Sequence, residues 1–229
     1  MPDLNRQRPL CVLFGARTRL GQAWLNSDHA KKADLLLVAR SPEEATLLLS
    51  QYPEDHVYIA GDVLPPIENS SVEIIGCAIG LIHPAETSWQ TERSNTDRDL
   101  AVVESVLNAV KVPVRIVYVS SVLALITRRV MWYGGWKNVI EGALRQMVSA
   151  NPHATLAVLY PGRLTESKSS LLRSRLYTTF EYLAGQITWA TYNSTVKHHL
   201  IGWDSRIWIL YQSLPIWMIC RHLHIPVSK

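Results

Sequence analysis

Short apolar runs with no polar partner face recur along the chain. They are Leu10 to Phe14 (LCVLF), Leu35 to Ala39 (LLLVA), Ile74 to Ile79 (IIGCAI), Val114 to Val119 (VRIVYV) and Thr155 to Tyr160 (TLAVLY). A strand with one wet face alternates apolar and polar residues; a strand covered on both faces does not. The runs therefore predict a parallel sheet packed between helices. A further strand is expected to end at Gly61-Asp62-Val63, and the segment TVKHHLIGW from Thr195 reads as a seventh.

Helix-like stretches separate the runs. Leu20 to Asn26 follows the first strand, and Pro42 to Gln51 follows the second, with Ser41 as N-cap and Glu44 completing a capping box. Asn95 to Val110 carries apolar residues at 100, 102, 103, 106, 107 and 110, a 3.6-residue period. Met131 to Ala150 is long and amphipathic. The alternation predicts a doubly wound, Rossmann-type α/β fold with three αβα layers. No repeat or flexible linker divides the chain, so residues 1–229 are expected to form a single domain. Segment 163–200 breaks the rhythm and is expected to cover the crevice like a lid.

Composition narrows the class. Apolar residues make up 48% of the 229 and charged residues only 18%, which excludes a disordered chain. The net charge of +4 is not gathered into basic clusters, so nucleic acid is not the expected partner. Cys11, Cys77 and Cys220 are odd in number, far apart and set in apolar runs, which argues against disulfides and against zinc. His198-His199 and His222…His224 do not have metal-ligand spacing, and no metal is expected. Buried thiols in a reducing cytoplasm account for the cysteines. The polar Met1 to Arg8 precedes no apolar stretch of signal-peptide length.

The first strand runs into Gly15-Ala16-Arg17-Thr18-Arg19-Leu20-Gly21. A glycine at the strand end allows a sharp turn, and a second lets a helix N-terminus approach a pyrophosphate. Strand two ends at Arg40, where an acidic residue would hold a ribose 2′-hydroxyl; an arginine suits a 2′-phosphate by charge and bidentate geometry. Asp62 and Val63, after strand three, are placed to meet an adenine. At the other end, Tyr133 and Lys137 lie four apart on one helix face, where an ammonium favours the phenolate. Ser120 and Ser121 close the fifth strand, and Asn95 opens the preceding helix.

In their order and spacing these residues resemble the short-chain dehydrogenase/reductases. The resemblance covers roughly residues 9–200 and adds the Ala78-Ile79-Gly80 turn and Pro161-Gly162. It implies an NADP(H)-dependent oxidoreductase acting on a small carbonyl or alcohol substrate. Tyr133 would be the general acid/base, Lys137 its pKa-lowering partner and a ribose ligand, Ser121 or Ser120 the substrate-orienting hydroxyl, and Asn95 the holder of a relay water. Gly15, Arg17, Arg19, Leu20, Gly21, Arg40, Asp62, Val63, Ala78, Gly80, Lys137, Pro161 and Gly162 would bind the cofactor. Three departures stand out: Arg19 replaces the middle glycine of the loop, Phe14 its leading threonine, and Cys77-Ala78-Ile79-Gly80 stands where the family has an Asn-Asn-Ala-Gly turn. The alternatives are a non-catalytic NADP(H)-binding scaffold or sensor and a reduced nucleotide-sugar epimerase/dehydratase. The resemblance also implies a homo-oligomer.

Residues 205–229 carry an apolar stretch rich in Trp between Arg206 and Arg221. It is shorter than the roughly 20 residues needed to span a bilayer. It reads either as a buried terminal helix or dimer interface, or as an interfacial anchor peripheral to the inner face of the membrane. The tail is similar to that of the branch that reduces keto-sugars on polyprenyl phosphate.

Overall fold

The computed structural model describes residues 8–53, 56–77, 79, 89–126, 132–165 and 178–213; for 89–92, 126, 132, 133, 208 and 210–213 it describes the backbone alone. Its strands are β1 Leu10–Phe14, β2 Asp34–Ala39, β3 His56–Ile59, β4 Val72–Gly76, β5 Val114–Val119, β6 Ala154–Pro161, β7 Leu164–Thr165, β8 Thr178–Thr179 and β9 His198–Ile201. Seven of them form one parallel sheet in the order β3-β2-β1-β4-β5-β6-β9, while β7 and β8 pair separately. The strand order reverses between β1 and β4, which opens a crevice at the C-terminal ends of the strands.

The helices are α1 Arg19–Leu25, α2 Pro42–Gln51, α3 Trp89–Ala109, α4 Val122–Ile126, α5 Trp132–Ala150, α6 Phe180–Tyr192 and α7 Trp203–Ser213. Alternate residues of each central strand point into two separate cores, which is why the runs lack polar positions. Leu10, Val12 and Phe14 pack with Val102, Val103 and Val106 of α3 and Ile140 and Leu144 of α5. Cys11 and Leu13 face the other way, toward Trp24 of α1, Leu48 of α2 and Ile187 of α6.

The fourth strand starts two residues before its apolar run, because Glu73 hides its beginning; β4 pairs from Val72 opposite Leu10. The third strand ends at Ile59, and Gly61 then turns the chain at φ 110°. Helix α3 begins at Trp89, earlier than the periodicity indicates. Ser41 caps α2 by accepting from the Glu44 amide, but the Glu44 carboxylate accepts from the Arg40 amide, one residue further back than a capping box requires. Arg115 sits in an otherwise apolar strand because its guanidinium donates to the carbonyls of Ala190, Asn193 and Val196, satisfying the end of α6.

Segment 163–200 divides in two ways. Leu164 and Phe180 line the crevice. Helix α6 instead belongs to the core, with Leu183, Ala184, Ile187 and Ala190 buried. Residues 166–177 lie outside the described part. Glu141, expected on a solvated face, is buried, because α5 turns it toward β6, where the Tyr160 hydroxyl donates to it at 2.7 Å.

Candidate active site

A cavity of about 760 Å³ lies at the C-terminal ends of the strands, where the sheet order reverses. Its walls include Gly15, Arg17, Thr18, Arg19 and Leu20 of the first turn, Arg40, Asp99, Ser120, Ser121 and Lys137, with Pro161 and Gly162 opposite.

The first turn is built around two glycines. Gly15 has φ 83°, a conformation that L side chains rarely adopt. A Cβ on Gly21 would run into the Gly15 carbonyl oxygen, so only glycine permits this close contact of turn and helix. Thr18 caps α1: its hydroxyl donates to the Gly15 carbonyl at 2.8 Å and accepts from the Gly21 amide at 3.0 Å. Arg19 is the first residue of α1 and, like Arg17, is exposed at the mouth of the cavity.

Arg40 leaves the end of β2 and reaches Asp99 on α3. Its Nη2 donates to Oδ2 at 2.6 Å and its Nε to Oδ1 at 3.3 Å. The Asp99 side chain is almost fully buried, while the Arg40 side chain is 28% exposed. Asp99 was not singled out by the sequence, because nothing local marks an aspartate 59 residues from its partner.

Lys137 is the largest charged side chain that is fully buried among the described residues. Its Nζ donates to the carbonyls of Ile79 at 2.9 Å and Val119 at 3.3 Å, and it stands 5.1 Å from the Tyr118 ring centroid. Burial, reinforced by the positive charge of Arg40, brings its ammonium down to about 7, against the opposing pull of Asp99 and Cys77. Burial pushes the neighbouring Cys77 thiol up to about 12, so it stays neutral at the cavity wall.

The two serines separate. The Ser121 hydroxyl accepts from the Leu123 amide at 3.2 Å and caps α4. The Ser120 hydroxyl is buried with no hydrogen-bond partner among the described residues, at the wall of the cavity. A buried hydroxyl without a partner is costly, and a bound polar group would relieve it.

The remaining predicted residues are less concentrated. Tyr133 stands in the first turn of α5, one turn before Lys137, and its side chain lies outside the described residues. Ala78 and Gly80 also lie outside them. Asn95 is half-buried on α3 and is not among the described residues lining the cavity. Asp62 and Val63 are exposed after β3, and Val63 is 93% exposed; neither lines the cavity. Gly162 is held against Asp204, whose carboxylate accepts from the Arg163 amide. Trp136 belongs to the core beside α3.

No protein-family model matches the sequence, and no curated protein matches it. Solved structures do match in three dimensions. The Gre2 protein of Candida albicans in complex with NADPH superposes with a TM-score of 0.59 at 14% identity, over 85% of this chain and 78% of that one. FolM alternative dihydrofolate reductase 1 of Brucella canis, complexed with NADP, gives a TM-score of 0.61 at 12% identity, over 88% and 94%. A short-chain dehydrogenase/reductase of Vibrio parahaemolyticus gives 0.55 at 18% identity, over 84% and 98%. This is the fold of the short-chain dehydrogenase/reductases. At such identities the likeness is one of architecture, and function rests on the site.

Proposed function

We propose that this chain is an NADP(H)-dependent oxidoreductase of the short-chain type, acting on a carbonyl or alcohol carbon of a small molecule. The observation that carries the reading is Lys137, a fully buried amine with an ammonium brought down to about 7 at the wall of the crevice, which also holds the Ser120 hydroxyl, without a partner among the described residues. Perturbed ionisable groups in a cleft mark functional sites.

The site fits a dinucleotide. The Gly15–Gly21 contact allows a close backbone approach, and Arg17, Arg19 and Arg40 supply positive charge along the same wall. Leu20, Pro161 and Gly162 shape the cradle, Ala78 and Gly80 would complete it, and Asp62 and Val63 would meet the adenine side. Solved structures of the same fold contain NADPH or NADP. When bound, the nicotinamide supplies the hydride. The chain supplies the proton and its placement. Tyr133 donates or accepts at the substrate oxygen, Lys137 lowers the phenol pKa, Ser120 holds that oxygen, and Asn95 relays to water. Ser120 is preferred over Ser121, whose hydroxyl already caps α4.

Fluorescence titration with NADPH and NADH, followed by turnover of a carbonyl panel, tests the reading. Binding of NADPH with turnover that Tyr133→Phe removes supports it; no binding of either nucleotide overturns it. A second reading, an NADP(H)-binding sensor without turnover, draws on Asn95 lying off the cavity wall and on Arg40 being engaged by Asp99. Binding that leaves every substrate unchanged favours that reading.

The finer proposal is a keto-sugar carried on polyprenyl phosphate as substrate, met by a homo-oligomer at a membrane surface. On α7, Trp203 and Ile207 are exposed one turn apart, at 63% and 51%, and the Arg206 guanidinium lies 5.7 Å from the Trp203 ring centroid. An aromatic, an aliphatic and a basic residue on one exposed turn suit an interface. Among the described residues no helix is long and apolar enough to cross a membrane. Residues 214–229 lie outside the described part.

A further inference from the structure

At the opposite end of the sheet from the cavity, a second cluster of chemically capable side chains is buried. Cys11 and Glu73 are neighbours in register on β1 and β4. His29, from the turn after α1, closes over them. The Cys11 sulfur lies 3.1 Å from Glu73 Oε2 and 4.0 Å from His29 Nε2, and His29 Nε2 lies 2.6 Å from the same Oε2. All three residues are under 9% exposed. Their sequence spacing suggests nothing, which is why no metal was expected; only the pairing of β1 with β4 brings them together.

We propose that Cys11, His29 and Glu73 form a binding site for a divalent transition metal ion of the zinc type. Three observations carry it. The donor set is the mixture of thiolate, imidazole and carboxylate that zinc takes. Tetrahedral bonds of about 2.0–2.3 Å place donor atoms about 3.3–3.6 Å apart, so changes of about 0.4–0.7 Å in the three separations convert the observed triangle into a ligand face. The ring is also aimed from behind: the Tyr192 hydroxyl lies 2.6 Å from His29 Nδ1, which fixes Nε2 toward Cys11 and Glu73. A dication with one thiolate and one carboxylate is neutral overall, which suits a buried site.

Binding balances as follows. The Cys11 thiol proton leaves to solvent. The His29 ring proton, which faces Glu73 in the metal-free cluster, moves to Nδ1, where the Tyr192 oxygen accepts it. Water fills the fourth position. Tyr192 is 71% exposed and covers His29, so its displacement opens the way in. The site lies at the opposite end of the sheet from the proposed chemistry, and a bound ion ties β1 and β4 to the turn after α1.

The full chain, stripped with a chelator and shown to be folded by circular dichroism, is titrated with Co²⁺. The expected result is one ion per chain, a thiolate-to-cobalt charge-transfer band in the near ultraviolet, and a melting temperature that rises with zinc. Cys11→Ser removes the near-ultraviolet band. Tyr192→Phe, at an exposed residue, leaves the fold intact and weakens binding about 10–100-fold. Less than stoichiometric uptake by the folded chain, uptake without the thiolate band, or affinity unchanged in Tyr192→Phe overturns the proposal, and the cluster is then a hydrogen-bonded packing element only. None of these readouts depends on reductase activity.

Discussion

Arg40 and Asp99 form a two-point ion pair, 2.6 Å at its shorter contact, that joins the end of β2 to α3 across the wall of the cavity. The arginine expected to meet a 2′-phosphate is therefore held in place by a buried carboxylate. Arg40→Ala is expected to weaken NADPH binding at least tenfold while leaving NADH binding nearly unchanged, because it removes a charge-assisted contact worth about 1.5–3 kcal/mol. Parallel titrations of wild type and variant with both nucleotides check this; an unaltered NADPH-to-NADH ratio rejects the assignment of Arg40.

Asp99 is expected to matter for the fold as well as the site. Asp99→Ala leaves a partly exposed guanidinium without its carboxylate and should destabilise the chain by about 2–3 kcal/mol, less than the 3–5 kcal/mol of a fully buried broken pair. Urea denaturation of the two proteins measures the difference. A midpoint equal to wild type would show that the pair contributes nothing to stability.

The serines predict a dissociation of activity from stability. Ser120→Ala should lower kcat about 10²-fold with the melting temperature preserved or raised, since it deletes a buried hydroxyl that has no partner among the described residues. Ser121→Ala removes the cap on α4 and should cost about 0.5–2 kcal/mol of stability with a smaller effect on kcat. The reverse pattern would return the substrate-orienting role to Ser121.

Lys137 predicts a pH dependence of stability. In the unfolded chain its ammonium titrates near the ordinary 10.5, and in the folded chain at about 7. Between these values unfolding takes up a proton, so stability rises with pH from about 7 toward 10, by at most about 1.4 kcal/mol per unit. Below pH 7 both states are protonated and this gain is absent. Lys137→Met should flatten the slope, as chemical denaturation at a series of pH values would reveal, and should abolish turnover. A slope unchanged in the variant would place its origin elsewhere.

Tyr133→Phe should remove turnover by about 10²–10⁴-fold with cofactor affinity retained, since it deletes only the proton donor. Wild-type rates in this variant would end the reductase reading.

The tail predicts partition. Full-length chain should sediment with vesicles containing anionic lipid at low salt, and both truncation at 213 and the pair Trp203→Ser with Ile207→Ser should reduce this. Full-length protein that stays in the supernatant would identify the tail as core or interface.

The amino-acid order alone determined the seven strands of the main sheet, helices α1, α2, α3 and α5 and the glycine turn after β1, but not α4, α6 or the β7–β8 pair. These depend on short-range physics: a strand covered on both faces admits few polar positions, a helix repeats every 3.6 residues, and the Gly15 conformation excludes a side chain. The one-turn separation of Tyr133 and Lys137 follows from that same period. The tertiary structure decided which polar groups meet. Asp99 finds Arg40, Glu141 is buried by Tyr160, and Cys11 meets His29 and Glu73 because strand order and helix packing bring distant segments together. The two serines differ for the same kind of reason: both line the cavity, but the Ser121 hydroxyl caps α4 while that of Ser120 has no partner among the described residues. A polar side chain carries no local mark of its partner; its burial becomes favourable only when the fold supplies the matching charge or hydrogen bond.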